Sequence, residues 1–490
     1  MSKRSDASRR DFLKTSGAVL GASGVAALGP AVAALADDTN NNPGSFRAAA
    51  VERNITPPVG LEITHYVRQN IGVNDPLFVR VLLIEDAAGR SVALITADLI
   101  GAGFTACDEL RDRVKQKVGV DEVWFSCSHT HAGRWLVSTP REGRDYTDEL
   151  IWDEGPDHPI IDDAAEMAWN RGVHEAIDEI CQEAKEKLEP VTLKTGRAEA
   201  QVGFNRRITG KDGWTYMGVN REGAAVPWVN VLVAESRASG RPTAVYFSHA
   251  AHPVMVPHTS KLVSADFPGA AVRRIHESLG EDVVAMFGQG CGANINGYPL
   301  RVSQEKTDAA GHKLGAAVVK AVKESLPVTA TELRLAVTRT ELPTQPLPSA
   351  ELVAELMEKD KQNPPRIKQL KKITAMRERG GTPPPRRFDV YGVMLGKDWC
   401  LVGMPYEIFS QMELWFDKEA PFRHTMALSL TNGGRGYIGN DEGLAMGASG
   451  GYEAGSLPNW GGHETMSPNL GPPAVGADGI IQQAIRDLWS

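Results

Sequence analysis

The sequence has few cysteines and no clustered pair of them. Five cysteines are scattered over 490 residues without a CxxC spacing, which argues against both a disulfide framework and a thiolate zinc site. Positive charge is not in excess either. The formal net charge of −8 argues against nucleic acid as the main partner. No internal repeat is visible, and the hydrophobic content of 42% is typical of a globular protein.

The first 36 residues resemble a twin-arginine export signal. Two adjacent arginines, Arg9 and Arg10, precede an uncharged stretch of small and apolar residues that ends in a small-x-small cleavage motif. The alternative is a retained anchoring helix, because about 20 apolar residues can span a bilayer. We therefore predict a signal peptide at residues 1–36, a linker at 37–45, and a periplasmic or secreted protein. Once the signal is removed, no later apolar run is long enough for stable membrane insertion.

Strands and helices alternate from residue 46 onwards. The predicted strands are 78–86, 91–99, 122–128, 230–236, 243–249 and 283–290. The predicted helices are 106–119, 162–188, 267–280 and 303–326. A hairpin is predicted over 388–405, turning at 396–398. This alternation predicts a single α/β domain over residues 46–490, with a parallel or mixed β-sheet core flanked by helices.

Residues 359–387 resemble a surface insertion. The segment is basic and lies between proline clusters, which favours a solvated helix between two loops. A basic patch that receives an acidic substrate is the alternative interpretation.

Two histidine clusters follow predicted strands. His129 and His131 come directly after one strand, and His249 and His252 end and follow another. Ligands gather at the carboxyl ends of strands in α/β sheets, and side chains two positions apart in extended backbone point the same way. Imidazole is the commonest protein ligand for transition metals, although many loop histidines only form hydrogen bonds. The clusters therefore predict either a metal site or a set of hydrogen-bonding loop residues.

Two aspartates lie near these clusters in the predicted topology. Asp98 ends the strand 91–99, and Asp266 stands at the start of the helix 267–280. For Asp266 the alternative role is that of a helix N-cap, which aspartate strongly favours.

Nine short motifs follow one another along the chain, at residues 47–60, 92–99, 126–133, 248–256, 264–271, 288–297, 403–409, 431–439 and 451–456. In sequence and in order they resemble the motifs of neutral and alkaline ceramidases. The resemblance covers residues 46–490 and implies the fold of the family's catalytic domain. In that family one catalytic zinc is held by two histidines, a glutamate and a tyrosine. The resemblance therefore implies a Zn²⁺ cofactor with the ligands His129, His252, Glu407 and Tyr437.

The same resemblance implies catalytic roles for His131 and Tyr452, the latter as a substrate contact. His131 stands beside a ligand, where it can move a proton to a leaving group or only hydrogen-bond to a ligand. Two imidazoles and a carboxylate also suit zinc chemically, because they leave a position for water. Glu407 has an alternative role as an acid at a helix start, and Tyr437 as a half-buried aromatic.

The chain departs from the ceramidase motifs where the family contacts its substrate. Asn294 stands where ceramidases have an aspartate, and Asn296 where they have a serine. The family's C-terminal immunoglobulin-like domain has no counterpart in these 490 residues. Several residues suit a polar substrate instead: Arg134, Trp135, Asn205, Arg206, Arg207, Asn294 and Asn296. From this set and its surroundings we predict Arg134, Asn294, Asn296 and Asp266 as substrate-binding residues.

Three functions compete on this evidence. The first is an exported zinc hydrolase that cleaves an amide or ester, on a small-molecule or glycan substrate more polar than ceramide. The second is a zinc-dependent lyase or hydrolase of carbohydrates on the same scaffold. The third is an exported binding protein without turnover, which the intact ligand set argues against.

Overall fold

The computed structural model describes residues 46–63, 68–138, 164–362, 364–378, 380, 384–455 and 471–490. The predicted signal peptide at 1–36 and the linker at 37–45 lie outside these residues. No helix within the described ranges is both long enough and apolar enough to cross a membrane.

The described residues form short and long strands. In chain order they are β1 (Phe46–Asn54), β2 (Glu62–Ile63), β3 (Arg68–Gln69), β4 (Gly72–Val73), β5 (Phe78–Glu85), β6 (Ser91–Ala97), β7 (Gly101–Ala102), β8 (Glu122–Cys127), β9 (Trp135–Leu136), β10 (Glu189–Glu199), β11 (Gly203–Thr209), β12 (Thr215–Asn220), β13 (Trp228–Ser236) and β14 (Pro242–His249). The remaining strands are β15 (Leu262–Val263), β16 (Val284–Gln289), β17 (Ile295–Gly297), β18 (Leu326–Pro327), β19 (Arg334–Thr338), β20 (Glu341–Leu342), β21 (Arg386–Arg387), β22 (Val390–Leu395), β23 (Trp399–Gly403), β24 (Glu407–Ile408), β25 (His424–Leu428) and β26 (Tyr437–Ile438).

The helices complete the same part of the chain. They are α1 (Phe104–Val118), α2 (Ala164–Glu186), α3 (Asp266–Leu279), α4 (Gln304–Lys323), α5 (Ala350–Lys359), α6 (Pro364–Glu378), α7 (Ser410–Glu419), α8 (Asp441–Ala445), α9 (Gly451–Ala454) and α10 (Ala477–Trp489).

A nine-stranded mixed sheet forms the centre of the domain. Its strand order is β16-β14-β13-β10-β1-β5-β6-β8, and β18 pairs with β10. The pairs β14–β16 and β6–β8 at the two ends of this order are parallel, whereas the pairs between them are antiparallel. This architecture confirms the predicted α/β class with a mixed sheet flanked by helices.

Alternating side chains give the sheet two apolar faces. On β5, Val79, Val81 and Leu83 pack in one core with α1 and α2, whereas Leu82 and Ile84 pack in another. On β13 the same alternation sends Val231 and its odd-numbered neighbours toward the core that holds α3 and α4. Because strand side chains alternate between faces, one face of the sheet is covered by helices and the other meets a second sheet.

The second sheet has four strands in the order β19-β22-β23-β25. Its inner residues, such as Tyr391 and Leu401, share a core with the nine-stranded sheet. Its outer residues pack with α7 and α10. The predicted hairpin over 388–405 is the β22–β23 pair, and Gly396 in its turn has a φ of +55°.

The strands that precede the two histidine clusters are not neighbours in the sheet. Five strands separate β8 from β14 in the strand order. The two strands nevertheless approach each other on the inner face, where the Ser126 and Tyr246 hydroxyl groups lie 3.4 Å apart. Thr431 and Asn432 of the loop after β25 pair with β8 as well, through the Ser126–Thr431 bridge and the hydrogen bonds between Asn432 and Phe125. The sheet therefore curls so that distant strand ends meet.

The predicted insertion of residues 359–387 contains the second helix of a helical pair. Its helix α6 packs against α5, which precedes the predicted boundary, through a small separate core of Val353, Leu356, Leu370 and Ile373. The stem of this pair is the β20–β21 ladder. The segment therefore has an apolar partner within its own hairpin.

Candidate metal centre

His129 is positioned by the loop that follows β8. Its backbone adopts φ of +67°, a left-handed conformation that is uncommon for a residue other than glycine. The backbone N–H of His129 donates to the carbonyl of Leu99, and Nδ1 lies 2.5 Å from the carbonyl oxygen of Ile100. Because a carbonyl only accepts, Nδ1 carries the proton and Nε2 is left with a lone pair directed into the site.

His252 reaches the same point from the loop after β14. Its backbone N–H donates to the carbonyl of Ile295, and a bridge joins it to Asn296 on β17. Its Nδ1 lies 2.7 Å from the carbonyl oxygen of Gly292 and 3.1 Å from that of Ile295. The same reasoning assigns the proton to Nδ1 and leaves Nε2 as an acceptor.

Glu407 and Tyr437 enter from two short paired strands, β24 and β26, in which they lie directly opposite each other. One oxygen of Glu407, Oε2, lies 2.8 Å from Nε2 of His252 and 3.3 Å from Nε2 of His129. The ring centroids of His129 and His252 are 4.9 Å apart, and that of Tyr437 is 6.4 Å from His252. Four residues from four different loops and strands therefore converge, all of them buried.

The surroundings shift the protonation of these groups. Burial raises the pKa of Glu407, but the neighbouring His129 and His252 outweigh it and hold that pKa below its usual range. Burial and the charge of Arg206 lower the pKa of His252 to about 4. Burial and the carboxylate of Glu407 raise the pKa of Tyr437. At neutral pH the carboxylate of Glu407 is thus ionised and the imidazole of His252 is neutral, which is the protonation that a metal requires of these two groups.

His131 completes the cluster. Its Nε2 lies 3.3 Å from Nε2 of His129, and the ligand atoms of His129, His131 and His252 all lie within 4.8 Å of one another. Among the described residues this is a group of side chains that fits a metal ion. The geometry admits His131 as a ligand and also as a group beside the metal, so the assignment of its role stays a prediction.

A buried ion-pair network lies next to Tyr437. Arg206 donates from Nε to Glu453 at 2.7 Å and from Nη1 to the side-chain oxygen of Asn296 at 2.9 Å. Arg207 donates to the other oxygen of Glu453 at 2.7 Å. The third nitrogen of Arg206, Nη2, has no hydrogen-bond partner among the described residues, and its guanidinium carbon lies 5.5 Å from the ring centroid of Tyr437. A buried donor is thus directed at the metal-ligand residues.

The opposite charges in this network favour each other's ionised forms. Burial alone would lower the pKa of Arg206, but Tyr437 and Glu453 raise it above its ordinary value. Burial raises the pKa of Glu453, and the two arginines outweigh it, so that its pKa is lowered. Burial raises the pKa of Tyr452 to about 12, and its ring centroid lies 5.4 Å from that of Tyr437. The predicted residue Tyr452 therefore lies next to the predicted ligand Tyr437.

Two of the predicted substrate-binding residues, Asn294 and Arg134, make internal contacts. Asn294 is fully buried, accepts from the backbone of Ser410 at 2.8 Å and donates to Gln411 at 3.0 Å. Arg134 pairs with Glu166 at 3.1 Å and also donates to the carbonyl of Glu62. These side chains therefore hold loops together, and a direct substrate contact for them stays a prediction that their burial does not favour.

The aspartates near the clusters also serve the scaffold. Asp266 is buried at the start of α3 with φ of +57°, and it accepts from the backbone N–H groups of Val256 at 2.8 Å and Phe267 at 2.7 Å. Asp98 accepts from Arg80 at 2.9 Å. In these positions Asp266 fixes the loop that follows His252, and Asp98 lies in an ion pair at a strand end.

A narrow recess of about 10 Å³, room for roughly one water molecule, opens at the histidines. Its lining residues are Ile100, His129, His131, Trp135, Glu407, Arg435, Gly436 and Tyr437. Sequence reasoning did not single out Arg435 or Glu453. The available signal for Arg435 was the run Gly433-Gly434-Arg435-Gly436, because three glycines around one arginine indicate a tight loop that presents that side chain.

No family model matches the sequence, and no curated protein matches it. Solved structures resemble the fold. The neutral ceramidase from Pseudomonas aeruginosa superposes with a TM-score of 0.65 at 17% identity, covering 91% of this chain and 74% of that one. A ceramidase complexed with C2 gives a TM-score of 0.65 at 16% identity, covering 90% of this chain and 75% of that one. The chain therefore has the fold of neutral ceramidases, as the sequence motifs predicted.

Proposed function

We propose that this protein is a zinc-dependent hydrolase of an amide or ester bond, acting on a substrate more polar than ceramide. The observation that carries the proposal is the orientation of His129 and His252. Both rings bind a backbone carbonyl through Nδ1, so both direct Nε2 at the Glu407 carboxylate. Two neutral imidazoles and one carboxylate are a donor set typical of catalytic zinc.

The residues present fit such an ion. His129, His252 and Glu407 would hold it, and Tyr437 lies opposite Glu407 on the paired strand. When bound, zinc makes water acidic enough to react near neutral pH and polarises a carbonyl group. The carbonyl groups of Ile100 and Gly292 orient the two rings, which is the outer-sphere arrangement that supports metal-ligating histidines.

His131 is the residue best placed to move a proton. It is partly exposed at the recess, and its Nε2 lies 3.3 Å from His129 rather than against the Glu407 carboxylate. A histidine at such a position can accept a proton from attacking water and deliver it to the leaving nitrogen or oxygen.

Arg206 is the residue best placed to stabilise negative charge on the substrate. Its Nη2 is a buried donor without a partner among the described residues, and Asn296 and Glu453 hold the other two nitrogens in place. A preorganised donor in a site of low polarity stabilises the oxyanion that forms when an acyl group is attacked.

The residues around Asn296, where the family resemblance places a substrate contact, favour a polar substrate. The oxygen of Asn296 is used by Arg206, whereas a serine at that position would offer a hydroxyl group as both donor and acceptor. Trp135 and Arg435 line the recess beside the histidines. The amide of Asn296 and the guanidinium groups around it favour a substrate more polar than ceramide.

Export belongs to the same proposal. The segment with Arg9 and Arg10 supports delivery of the folded protein by the twin-arginine route, to the periplasm or outside the cell. Fractionation of cells that express the full chain tests this directly. Replacing both arginines with lysine should retain the protein in the cytoplasm, and a double lysine substitution at Arg273 and Arg274 on α3 serves as the control.

The test of function is an assay of purified, zinc-loaded protein. A panel of short acyl amides, acyl esters and oligosaccharides should show release of an acid with an amine or alcohol. A short-chain fluorescent ceramide should be hydrolysed slowly or not at all. Ceramide turnover at about 1–10³ s⁻¹, the usual range for enzymes, would refute the polar-substrate proposal. An unsaturated sugar product would instead identify a carbohydrate lyase.

A further inference from the structure

We propose that Glu413 is a positioning residue for the metal centre: through the backbone of Cys291 it holds the loop whose carbonyl group orients His252. This inference rests on the proposed function, because it takes His252 as a zinc ligand. It adds a residue outside the metal cluster that determines how tightly the ion is held. Glu413 lies on α7, which begins three residues after the predicted ligand Glu407.

The first argument is the peptide group that joins Gly292 to Ala293. Its carbonyl oxygen, which belongs to Gly292, lies 2.7 Å from Nδ1 of His252. Its N–H, which belongs to Ala293, donates to the carbonyl of Ile408 at 3.0 Å. Ile408 directly follows Glu407 in the short strand β24. The position of this one peptide group therefore affects both the ring of His252 and the backbone beside Glu407.

The second argument is that α7 holds the loop on both sides of that peptide group. Before it, the backbone N–H of Cys291 donates to Oε2 of Glu413 at 2.9 Å. After it, the side-chain oxygen of Asn294 accepts from the backbone N–H of Ser410 at 2.8 Å. These two hydrogen bonds fix the loop relative to the helix that follows Glu407. Removing the bond made by Glu413 leaves the loop anchored on one side only.

The third argument is the close packing around the loop. A side-chain carbon added at Gly290 would lie 2.9 Å from Oε2 of Glu413, and one added at Gly292 would lie 2.9 Å from the backbone nitrogen of Ala251. Ala251 directly precedes His252. The loop is therefore packed tightly between α7 and the backbone that leads into His252. A shift on the α7 side has little free space in which to be absorbed before it reaches that backbone.

Stability alone does not account for an acid at this position. Glu413 is only 2% exposed, and its Oε1 has no hydrogen-bond partner among the described residues. A buried oxygen without a partner destabilises a fold, and burial raises the pKa of Glu413 to about 7. Its Oε2 can accept from the N–H of Cys291 in either protonation state. The contact with the loop therefore explains the acid better than a gain in stability does.

The experiment measures the zinc affinity of the purified protein by competition with a chelator, and the visible spectrum of the cobalt(II)-substituted protein, which reports the geometry of the ligands. Glu413→Met removes the acceptor and keeps the length of the side chain. We expect zinc binding to weaken about tenfold, the lower end of the range for residues that support metal ligands, and the cobalt spectrum to change. Glu413→Gln keeps an oxygen that can accept from Cys291, so both properties should stay near those of wild type.

Asp417→Ala is the matched control. Asp417 lies one turn further along α7 and pairs with Arg197 at 3.0 Å instead of holding the loop. This variant should lower the stability of the protein without changing the zinc affinity or the cobalt spectrum. Glu413→Leu, which removes the acceptor in a shorter side chain, provides the test if the methionine variant fails to fold.

Zinc affinity and a cobalt spectrum like those of wild type in Glu413→Met or Glu413→Leu would overturn the proposal. An equal loss of affinity in Asp417→Ala would overturn it as well, since a general loosening of α7 would then account for the effect. So would an equal loss in Glu413→Gln, because the hydrogen bond to Cys291 would not be the cause. If Glu413→Met weakens zinc binding but no amide or ester is hydrolysed, the positioning role stands and the hydrolase proposal fails. Wild-type protein that binds no zinc would refute both.

Discussion

Two neighbouring groups of buried side chains at the candidate site are oriented by different means. On the side that we call the ligand wall, His129, His252 and Glu407 are oriented by backbone carbonyl groups and by a short strand pair. On the side that we call the arginine wall, Arg206 and its neighbours are oriented by one another, through ion pairs and a side-chain amide. Backbone partners do not change when neighbouring side chains do. The comparison therefore indicates that substitutions of neighbouring side chains should disturb the arginine wall more than the ligand wall.

The sharpest test of the ligand wall is removal of a histidine. His252→Ala should lower the metal content from about one zinc per chain to near zero and abolish turnover, because the ion loses a nitrogen ligand and Glu407 loses its closest partner. Metal analysis of the folded protein measures the first effect. His312→Ala, which removes an exposed histidine on α4, should bind zinc normally. Full metal content in His252→Ala would refute the assigned ligand set.

The next test separates chemistry from metal binding within the ligand wall. His131→Ala should keep the zinc and lose about 10²- to 10⁴-fold in kcat, the usual contribution of a general acid or base. Parallel metal analysis decides the role, because loss of zinc would make His131 a ligand instead. His258→Ala removes a half-buried histidine from the loop that follows His252 and should change kcat little.

The arginine wall should respond in stability rather than in metal content. Glu453→Ala leaves Arg206 and Arg207 buried without their shared carboxylate, and we expect a loss of about 3–5 kcal/mol in the free energy of unfolding. Zinc content in the remaining folded protein should be unchanged. Urea denaturation measures the loss. Glu358→Ala breaks the exposed pair with Lys361 and should cost only about 0–1 kcal/mol.

The smallest expected effect concerns Asp266, which holds the loop that follows His252. Burial, opposed by two backbone hydrogen bonds, raises the pKa of Asp266 to about 7. Because the folded state holds this proton more tightly than the unfolded state, Asp266 contributes stability at low pH that is lost as the pH rises from about 4 through about 7. Asparagine at this position does not ionise, so its stability should not depend on pH in this range. Its single side-chain oxygen can accept from only one of the two backbone N–H groups, those of Val256 and Phe267, so Asp266→Asn should be less stable than wild type at pH 4.

That difference in unfolding free energy between Asp266→Asn and wild type should narrow between pH 4 and pH 8, by an amount on the order of 1–3 kcal/mol. Denaturation curves at several pH values measure it. Asp282→Asn, at an exposed position before β16, should stay within about 0.5 kcal/mol of wild type throughout. A constant gap for Asp266→Asn would show that this carboxyl group does not couple folding to pH.

Much of the fold was predictable because its signals are local. The apolar runs that became β5, β6, β8, β14 and β16 lie within a residue or two of their predicted ends, and so do α1, α3 and the hairpin β22–β23. Strand β10 was missed although it is central to the sheet. Most of its length alternates buried and half-buried positions, but it contains Lys194, Gly196 and Arg197, which reduce its apolar pattern. This segment is a strand because β1 and β13 pair with it on its two sides, and not because of its composition.

The sequence by itself determined the mixed α/β class and the motif positions of the candidate ligands, because strand patterning and short motifs are properties of neighbouring residues. Only the tertiary structure decided that His129 and His252 meet, since five strands lie between β8 and β14 in the sheet. It also gave Asn294 a hydrogen bond from the backbone of Ser410 and brought Arg435 into the recess. The physical reason is that burial, protonation and the direction of a side chain depend on groups distant in sequence, which meet only when the sheet curls and its loops close.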